Sequence, residues 1–250
     1  MNITTGIQKR PLKVVIYGVE GVGKTTLASK FPDPLFLDLE GGTSQLDVRR
    51  VSDIKTWKQL VDTLNEIFTD PTVCKTLVID TADKVSELCD AETCAVNKWP
   101  NLEAPGYGKG YAVSAVKFAG FVSTLSVLID RGVNVVLLSH AQLRKIEQPD
   151  DLGAYDAYEL KLPKKMAPII KEWSDLLLFC NFRSKTRVTG DQKTQKVKKT
   201  GAERVMYTNK EGGPWDAKNR FGLPEELRLD YEEIRSIFEE GENAQTAENL

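Results

Sequence analysis

KVVIYGVEGVGKTT, residues 13–26, is the stretch on which the fold turns. Residues 13–17, apolar after Lys13 and without alternation, predict a short strand buried on both faces and ending at Gly18. Gly18 to Thr25 then satisfy G-x-x-x-x-G-K-[ST], the phosphate-cradling loop. Its glycines allow a tight turn in which successive N–H groups point into one concavity. The helix that follows adds its positive end, Lys24 neutralises the outer phosphates, and the Thr25 hydroxyl can ligate Mg²⁺. Gly18, Glu20, Gly21, Val22, Gly23, Lys24, Thr25 and Thr26 are therefore the expected phosphate-binding residues. A chain of 250 residues meets this pattern by chance about once in a hundred, and its place between strand and helix narrows the odds further.

Working outward, strands and helices alternate over the first 180 residues or so. A helix is expected from about Lys24 to Lys30, ended by Pro32 and Pro34, then a strand over Leu35–Leu39. Asp53 or Ser52 is expected to cap a one-sided helix carrying Ile54, Trp57, Leu60, Val61, Leu64, Ile67 and Phe68. Leu77–Ile79 predict a third strand ending at Asp80, followed by helices over Ala82–Trp99 and Tyr111–Asp130. A glycine-rich aromatic loop separates those two helices. Val133–Leu138 and Leu176–Phe179 complete five strands. Non-alternating strands spaced by helices define the expected fold class, an α/β protein with a mostly parallel sheet covered on both faces.

Composition narrows the function classes. Lys and Arg total 34 against 36 Asp and Glu, a net charge of −2, so any polyanion must be met by a local patch. The longest uncharged apolar run, Phe118–Ile129, is too short to span a bilayer, and MNITTGIQKRP lacks the apolar core of a signal peptide. The expected location is the cytoplasm, with no membrane partner. Cys74, Cys89, Cys94 and Cys180 form no CxxC pair and read as free thiols. With His140 as the single histidine, multi-histidine metal sites are excluded. The expected core spans residues 1–182, and a basic hairpin and C-terminal extension span 183–240. Residues 183–199 hold seven basic side chains against the single Asp191, and Gly190-Asp191 marks the hairpin turn. Residues 225–250 hold nine acidic side chains against two arginines, and 241–250 read as a disordered acidic tail.

Three further residues carry chemistry. Asp80 ends an apolar strand, where a carboxylate can hold Mg²⁺ beside the phosphate loop, although it would serve equally as a helix cap. Many phosphate-loop ATPases place a glutamate directly after this aspartate, but here Thr81 follows. Glu40, ending LFLDLEGG, is then the candidate to orient a water for in-line attack, because its strand should lie beside that of Asp80. His140 is expected at the end of the fourth strand, able to contact the γ-phosphate.

Taken together, GVEGVGKTTLA, LFLDLEGG, TLVID and VVLLSHAQ resemble the RecA-like ATPase core. They resemble more closely the phage-encoded RecA-like ATP-binding proteins of the Sak type, associated with single-strand annealing and recombination. The segment from Pro214 to Pro224 is similar to that family as well, and the resemblance covers roughly residues 10–225. It implies ATP and Mg²⁺ as ligands, Glu40 as the catalytic glutamate and His140 as the γ-phosphate sensor, where RecA itself has a glutamine. It also implies a homo-oligomer with interfacial sites, each completed by a neighbour's cation. Arg183 and Lys185 are the positional candidates, with Lys218 and Arg220 as rivals. Single-stranded DNA is the implied partner, and phage single-strand-binding or replication proteins are further ones. DNA would meet loops 100–110, with Trp99, Tyr107, Lys109 and Tyr111 nearby, and 142–165, with Arg144, Lys145, Lys161, Lys164 and Lys165. Two alternatives stay open: a nucleotide-gated DNA-binding or loading module with vestigial hydrolysis, and a small-molecule kinase. A GTPase is disfavoured because Asn97-Lys98 is followed by Trp99-Pro100 rather than completing NKxD. A ParA-type ATPase is disfavoured because Val19 and Glu20 stand where its extra lysine would.

Overall fold

The computed structural model describes residues 3–6, 8–147, 153–189, 196–211 and 213–238, with the side chains of 185–189 and 196–200 left aside. In chain order the elements are β1 (Lys13–Gly18), α1 (Lys24–Ala28), β2 (Pro34–Asp38), β3 (Arg49–Val51), α2 (Trp57–Thr69) and β4 (Thr76–Asp80). Then come α3 (Ala82–Asn97), α4 (Lys109–Asp130), β5 (Asn134–Ile146), β6 (Tyr155–Leu160), α5 (Ala167–Trp173), β7 (Leu176–Thr189), β8 (Lys196–Tyr207), β9 (Lys218–Asn219) and β10 (Glu226–Arg228).

The main sheet runs β10-β8-β7-β1-β5-β4-β2-β3. From β7 to β3 every pairing is parallel, whereas β8 and β10 add antiparallel strands at one edge. β5 thus lies between the phosphate-loop strand β1 and the strand β4 that ends in Asp80, while β2 lies beside β4 in the register Asp38↔Asp80.

Alternating side chains feed two cores, which is why these strands show no polar face in sequence. Val15, Tyr17, Leu37, Ile79, Leu137 and Phe179 face one side, where α2, α3, α4 and α5 cover them. Val14, Ile16, Phe36, Val78, Leu138 and Leu178 face the other. There the cover is Leu27, Ala28 and Phe31 together with Ile234, Ile237 and Phe238, and Phe31 meets Phe238 with ring centroids 4.6 Å apart. Trp215 and Asp216 fold back onto the first side, Lys218–Asn219 pair with β7, and Leu223 packs on the second side. Trp215 stacks on Tyr207 at 4.1 Å, and the Tyr17 hydroxyl donates to the Asp216 carbonyl at 2.6 Å.

Several sequence expectations need correction. The cap of α2 is Thr56, not Asp53 or Ser52. Thr56 Oγ1 accepts from the Gln59 N–H at 3.2 Å and Gln59 Oε1 accepts from the Thr56 N–H at 3.1 Å, a capping box that satisfies two otherwise unpaired donors. Asp53 instead takes a left-handed turn, φ 63°. The fourth strand does not stop at His140. β5 runs on to Ile146 and pairs antiparallel with β6, so much of the expected loop 142–165 is a β-hairpin, Ala141↔Leu160 to Ile146↔Tyr155. The break expected at Arg183 falls inside β7, which continues from the core sheet into its ladder with β8. The turn at Gly190-Asp191 and the tail 241–250 lie outside the described residues.

α3 and α4 form an antiparallel pair. Cys89 Sγ lies 3.4 Å from the Ser114 carbonyl, and Ser114 Oγ donates to Asp90. Residues 98–108 therefore form the tip of this helical hairpin, and Tyr107 there is fully exposed. α4 is long and apolar enough to cross a membrane by length and composition, but Phe118, Phe121, Val122, Leu125 and Leu128 are buried in the first core.

Candidate active site at the C-terminal edge of the parallel sheet

Gly18 ends β1 between Cys180 of β7 and His140 of β5. A Cβ there would sit 2.0 Å from the Cys180 carbonyl oxygen, so only glycine fits at the start of the loop. Gly23, with φ 110°, turns the chain into α1 in a conformation that side chains resist. Between them the loop wraps the Lys24 side chain. Its Nζ donates to the carbonyls of Gly18 at 2.9 Å and Val19 at 3.2 Å, and the residue is only 7% exposed. Burial lowers the Lys24 pKa, against the opposing fields of Cys180, Asp80, Asp83 and Glu20.

Thr25 Oγ1 donates to Asp80 Oδ2 at 2.8 Å. Burial pushes Asp80 up to about 6, the Thr25 bond opposes that shift, and the neighbouring Asp38 and Glu40 carboxylates reinforce it. A buried carboxylate destabilised in this way is one that a hard cation would relieve. The paired hydroxyl and carboxylate oxygens suit Mg²⁺, so Thr25 and Asp80 are the residues that would hold it.

Glu40 is aimed from two sides. Asp38 accepts from the N–H groups of Gly41 at 2.8 Å, Gly42 at 3.1 Å and Thr43 at 3.1 Å, and from the Thr43 hydroxyl, which folds the LEGG turn after β2. Burial raises the Asp38 pKa, but those donors outweigh it and the net direction is down. Thr81 Oγ1 then donates to Glu40 Oε1 at 2.8 Å. Thr81, which stands where many relatives of this motif carry a glutamate, thus anchors the glutamate supplied by the neighbouring strand.

His140 stands across from Glu40, its Nε2 3.9 Å from Glu40 Oε2. Its other nitrogen, Nδ1, lies 3.1 Å from Asp83 Oδ2, and its backbone N–H donates to the same oxygen at 2.9 Å. Asp83 Oδ1 accepts from Ser139 Oγ at 3.1 Å. The hydrogen bond to Asp83 raises the His140 pKa, burial opposes it, and the Asp83 and Glu40 charges add to the rise against Lys24. Ligand atoms of Glu40, Asp83 and His140 lie within 4.8 Å of one another. Both Asp83 oxygens are already engaged by Ser139 and His140, while Glu40 stands 3.9 Å from His140 Nε2, beyond hydrogen-bond reach, and is held by Thr81 instead.

Lys24, Thr25, Glu40, Asp80, Thr81 and His140 line one cleft of about 400 Å³ with Gly21, Gly23, Thr26, Gly42, Gln45, Leu46 and Arg204. Of the expected phosphate-loop residues, Gly21, Gly23, Lys24, Thr25 and Thr26 face it. Val22 is buried in the second core, and Glu20 is exposed on the loop. Arg183 does not line the cleft, because it is paired with Glu203 at 3.1 Å and with Glu226. The Lys185 side chain lies outside the described residues. Lys218 donates to the carbonyls of Lys171 and Glu172, both at 3.1 Å, and Arg220 pairs with Asp175 at 2.8 Å. Besides Lys24, the same chain brings Arg204 of β8 to the cleft, where its Nη1 would lie 3.4 Å from a Cβ on Gly23. Its arrival depends on the antiparallel β7–β8 ladder, which no local motif announces.

A phosphate-binding loop between β1 and α1, an acid ending β4 and a glutamate in the turn after β2 define the class as a P-loop nucleotide-binding protein. More narrowly, the sequence matches the AAA domain family AAA_24 over residues 10–221, and the chain belongs to that family. No curated protein matches it. Among solved structures, the KaiC-like protein PH0186 from the hyperthermophilic archaeon Pyrococcus horikoshii OT3 aligns at 13% identity with a TM-score of 0.42, covering 79% of each chain.

Proposed function

We infer that the chain binds Mg-ATP in this cleft and hydrolyses it, and that it acts on single-stranded DNA in phage recombination or strand annealing. The observation that carries the hydrolytic reading is the convergence of Lys24, the Thr25–Asp80 pair and the Thr81-anchored Glu40 on one cleft. Lys24 exchanges its carbonyl partners for phosphate oxygens. Glu40 accepts a hydrogen bond from a water and orients it for in-line attack on the γ-phosphorus, and the bond to ADP breaks as the water oxygen adds. Mg²⁺, which Thr25 and Asp80 would hold, would neutralise charge developing on the phosphates. His140 presents Nε2 on the same side as Glu40.

The DNA reading is supported by the tip of the α3–α4 hairpin, where fully exposed Tyr107 lies between exposed Lys98 and Lys109. An aromatic ring among cations suits base stacking with phosphate contact. In the 142–165 region Arg144 is held by Glu159 at 3.2 Å and by the Leu162 carbonyl at 2.8 Å, while Lys145, Lys161, Lys164 and Lys165 are exposed. A second cleft of about 340 Å³, lined by Glu40, Ser44, Arg50, Ser52 and Lys55, adjoins the first and favours a rival, phosphoryl transfer to a small acceptor.

ATP turnover measured with and without single-stranded DNA separates them, with Lys24→Ala as the inactive control. The expected result is salt-sensitive single-strand binding, weakened at least roughly 10-fold by removing Tyr107 and Lys109 together while nucleotide affinity holds. Absence of DNA binding at low salt in Mg-ATP would turn the reading to the kinase.

A further inference from the structure

Asp83 has no part in the sequence expectations, yet it is a buried acid with three hydrogen-bond contacts, two of them to His140 of the cleft wall. It lies in the first turn of α3, one residue beyond Ala82, and is only 5% exposed. It accepts from Ser139 Oγ, from the His140 backbone N–H and at His140 Nδ1. An ionised carboxylate can only accept, so the proton on the imidazole must reside on Nδ1. The backbone bond holds the β5 chain at the same carboxylate, leaving the ring little freedom to turn. Nε2 is then the nitrogen left facing Glu40 and the cleft.

The geometry points to Asp83 as a positioning residue that fixes the tautomer and orientation of His140, so that Nε2 is the atom offered to the terminal phosphate. This rests on the reading of the cleft as a triphosphate site. The charged groups that face His140 are Asp83 from α3, Glu40 after β2 and Lys24 from α1. Lys161, beyond β6, meets it through a backbone N–H 2.9 Å from the His140 carbonyl. Two carboxylates against one ammonium favour the imidazolium, in which Nε2 also carries a proton and can donate to a phosphate oxygen. Asp83 thereby acts at one remove, through His140, and touches neither water nor nucleotide.

The test is direct because the chain contains one histidine, so imidazole ¹⁵N signals of labelled protein need no assignment. In wild type, Nδ1 should be proton-bearing from about pH 5 to 9, and the titration midpoint should lie above that of a free histidine. Asp83→Asn should lower the midpoint and mix the tautomers. A midpoint lowered by one pH unit reduces the protonated fraction about 10-fold well above it. Turnover of the variant should therefore fall about 10-fold near pH 8 with ATP affinity held, and its ratio to wild type should climb back toward one near pH 6.5. A merely structural loss would leave that ratio flat across pH.

An unprotonated Nδ1 in wild type overturns the proposal without any variant, should Asp83→Asn fail to fold. Identical His140 spectra in folded wild type and variant overturn it as well. Addition of a non-hydrolysable triphosphate, but not ADP, should move the Nε2 signal. If that nucleotide binds without moving it, while the wild-type and variant difference persists, the Asp83 assignment stands and the γ-phosphate role of His140 falls.

Discussion

Thr81→Val is the perturbation that asks most of this site. The substitution keeps shape and burial but removes two hydrogen bonds of unequal kind. One is the donation to Glu40 Oε1 at 2.8 Å; the other is the helix cap, in which Thr81 Oγ1 accepts from the Lys84 N–H at 3.3 Å. A hydrogen bond to a charged group is worth about 1.5–3 kcal/mol. If that energy holds Glu40 in its productive position, kcat should fall about 10- to 100-fold, since each 1.36 kcal/mol is tenfold. The lost cap should cost about 1 kcal/mol, which for a chain of this size lowers Tm by about 2–4 °C. ATP affinity should hold, because neither Lys24 nor Thr25 touches Thr81. Phosphate release gives kcat, nucleotide titration gives Kd, and Thr81→Ser restores both bonds and should restore turnover. Glu40→Gln supplies the reference, with binding kept and hydrolysis down roughly 100-fold or more. Full turnover in Thr81→Val beside an inactive Glu40→Gln would show that Thr81 does not anchor the glutamate. Full turnover in both would refute Glu40 as the residue that orients water.

Arg204→Ala should weaken triphosphate affinity about 10-fold or more while leaving ADP less affected, as for a charge-assisted contact to phosphate; equal affinities in titrations of the variant and wild type would remove Arg204 from the site. Asp80 is raised to about 6 and His140 is raised above its ordinary value, so the folded chain holds more protons than the unfolded one in that range. Mg²⁺-free protein should therefore gain thermal stability as pH falls from about 8 toward 6, and a Tm that falls over this window contradicts both shifts. Ending the chain at residue 221 removes Ile234, Ile237 and Phe238 from the second core. At about 1.5–3 kcal/mol for each buried side chain this approaches the whole stability of a domain, so the fragment should not fold; a cooperative melt at the wild-type Tm would show that the second face is closed some other way.

What was legible in the sequence is what is local. The phosphate loop, the strand it follows and the acid ending TLVID each declare themselves within a few residues, because backbone geometry and ligand chemistry constrain adjacent positions. Glu40 was legible by one further step, the expectation that two parallel strands lie side by side, and β2 does lie beside β4. The capping box at Thr56 and Gln59 was equally local but was passed over in favour of the nearer Ser52 and Asp53. Apolar runs foretold strands but not their ends, since β5 and β7 pass from a two-sided core into ladders with one exposed face, where the alternating pattern is weak. Asp83 and Arg204 were illegible for a different reason. Asp83 reads as an ordinary acid in the first turn of a helix, and its partner His140 is 57 residues away. Arg204 reads as one basic residue among many in a basic hairpin.

The placement of those two residues also says how the site is tied to the rest of the fold. Asp83 is in the first turn of α3, the helix that leads to the exposed tip at Tyr107, and His140 is midway along β5, which continues into the hairpin with β6. A shift of His140 toward a phosphate would pull on both through one carboxylate. Arg204 connects the same cleft to β8, whose ladder with β7 carries Arg183 paired to Glu203 and Glu226. Two elements thus reach the cleft through single side chains, β5 through His140 and β8 through Arg204, and α3 is joined to it through the bond of Asp83 to His140. Coupling of that kind has a definite consequence. Each residue can be removed separately, and the response of the α3–α4 tip to nucleotide should depend on Asp83 and His140 while leaving Arg204 to the affinity of the triphosphate itself.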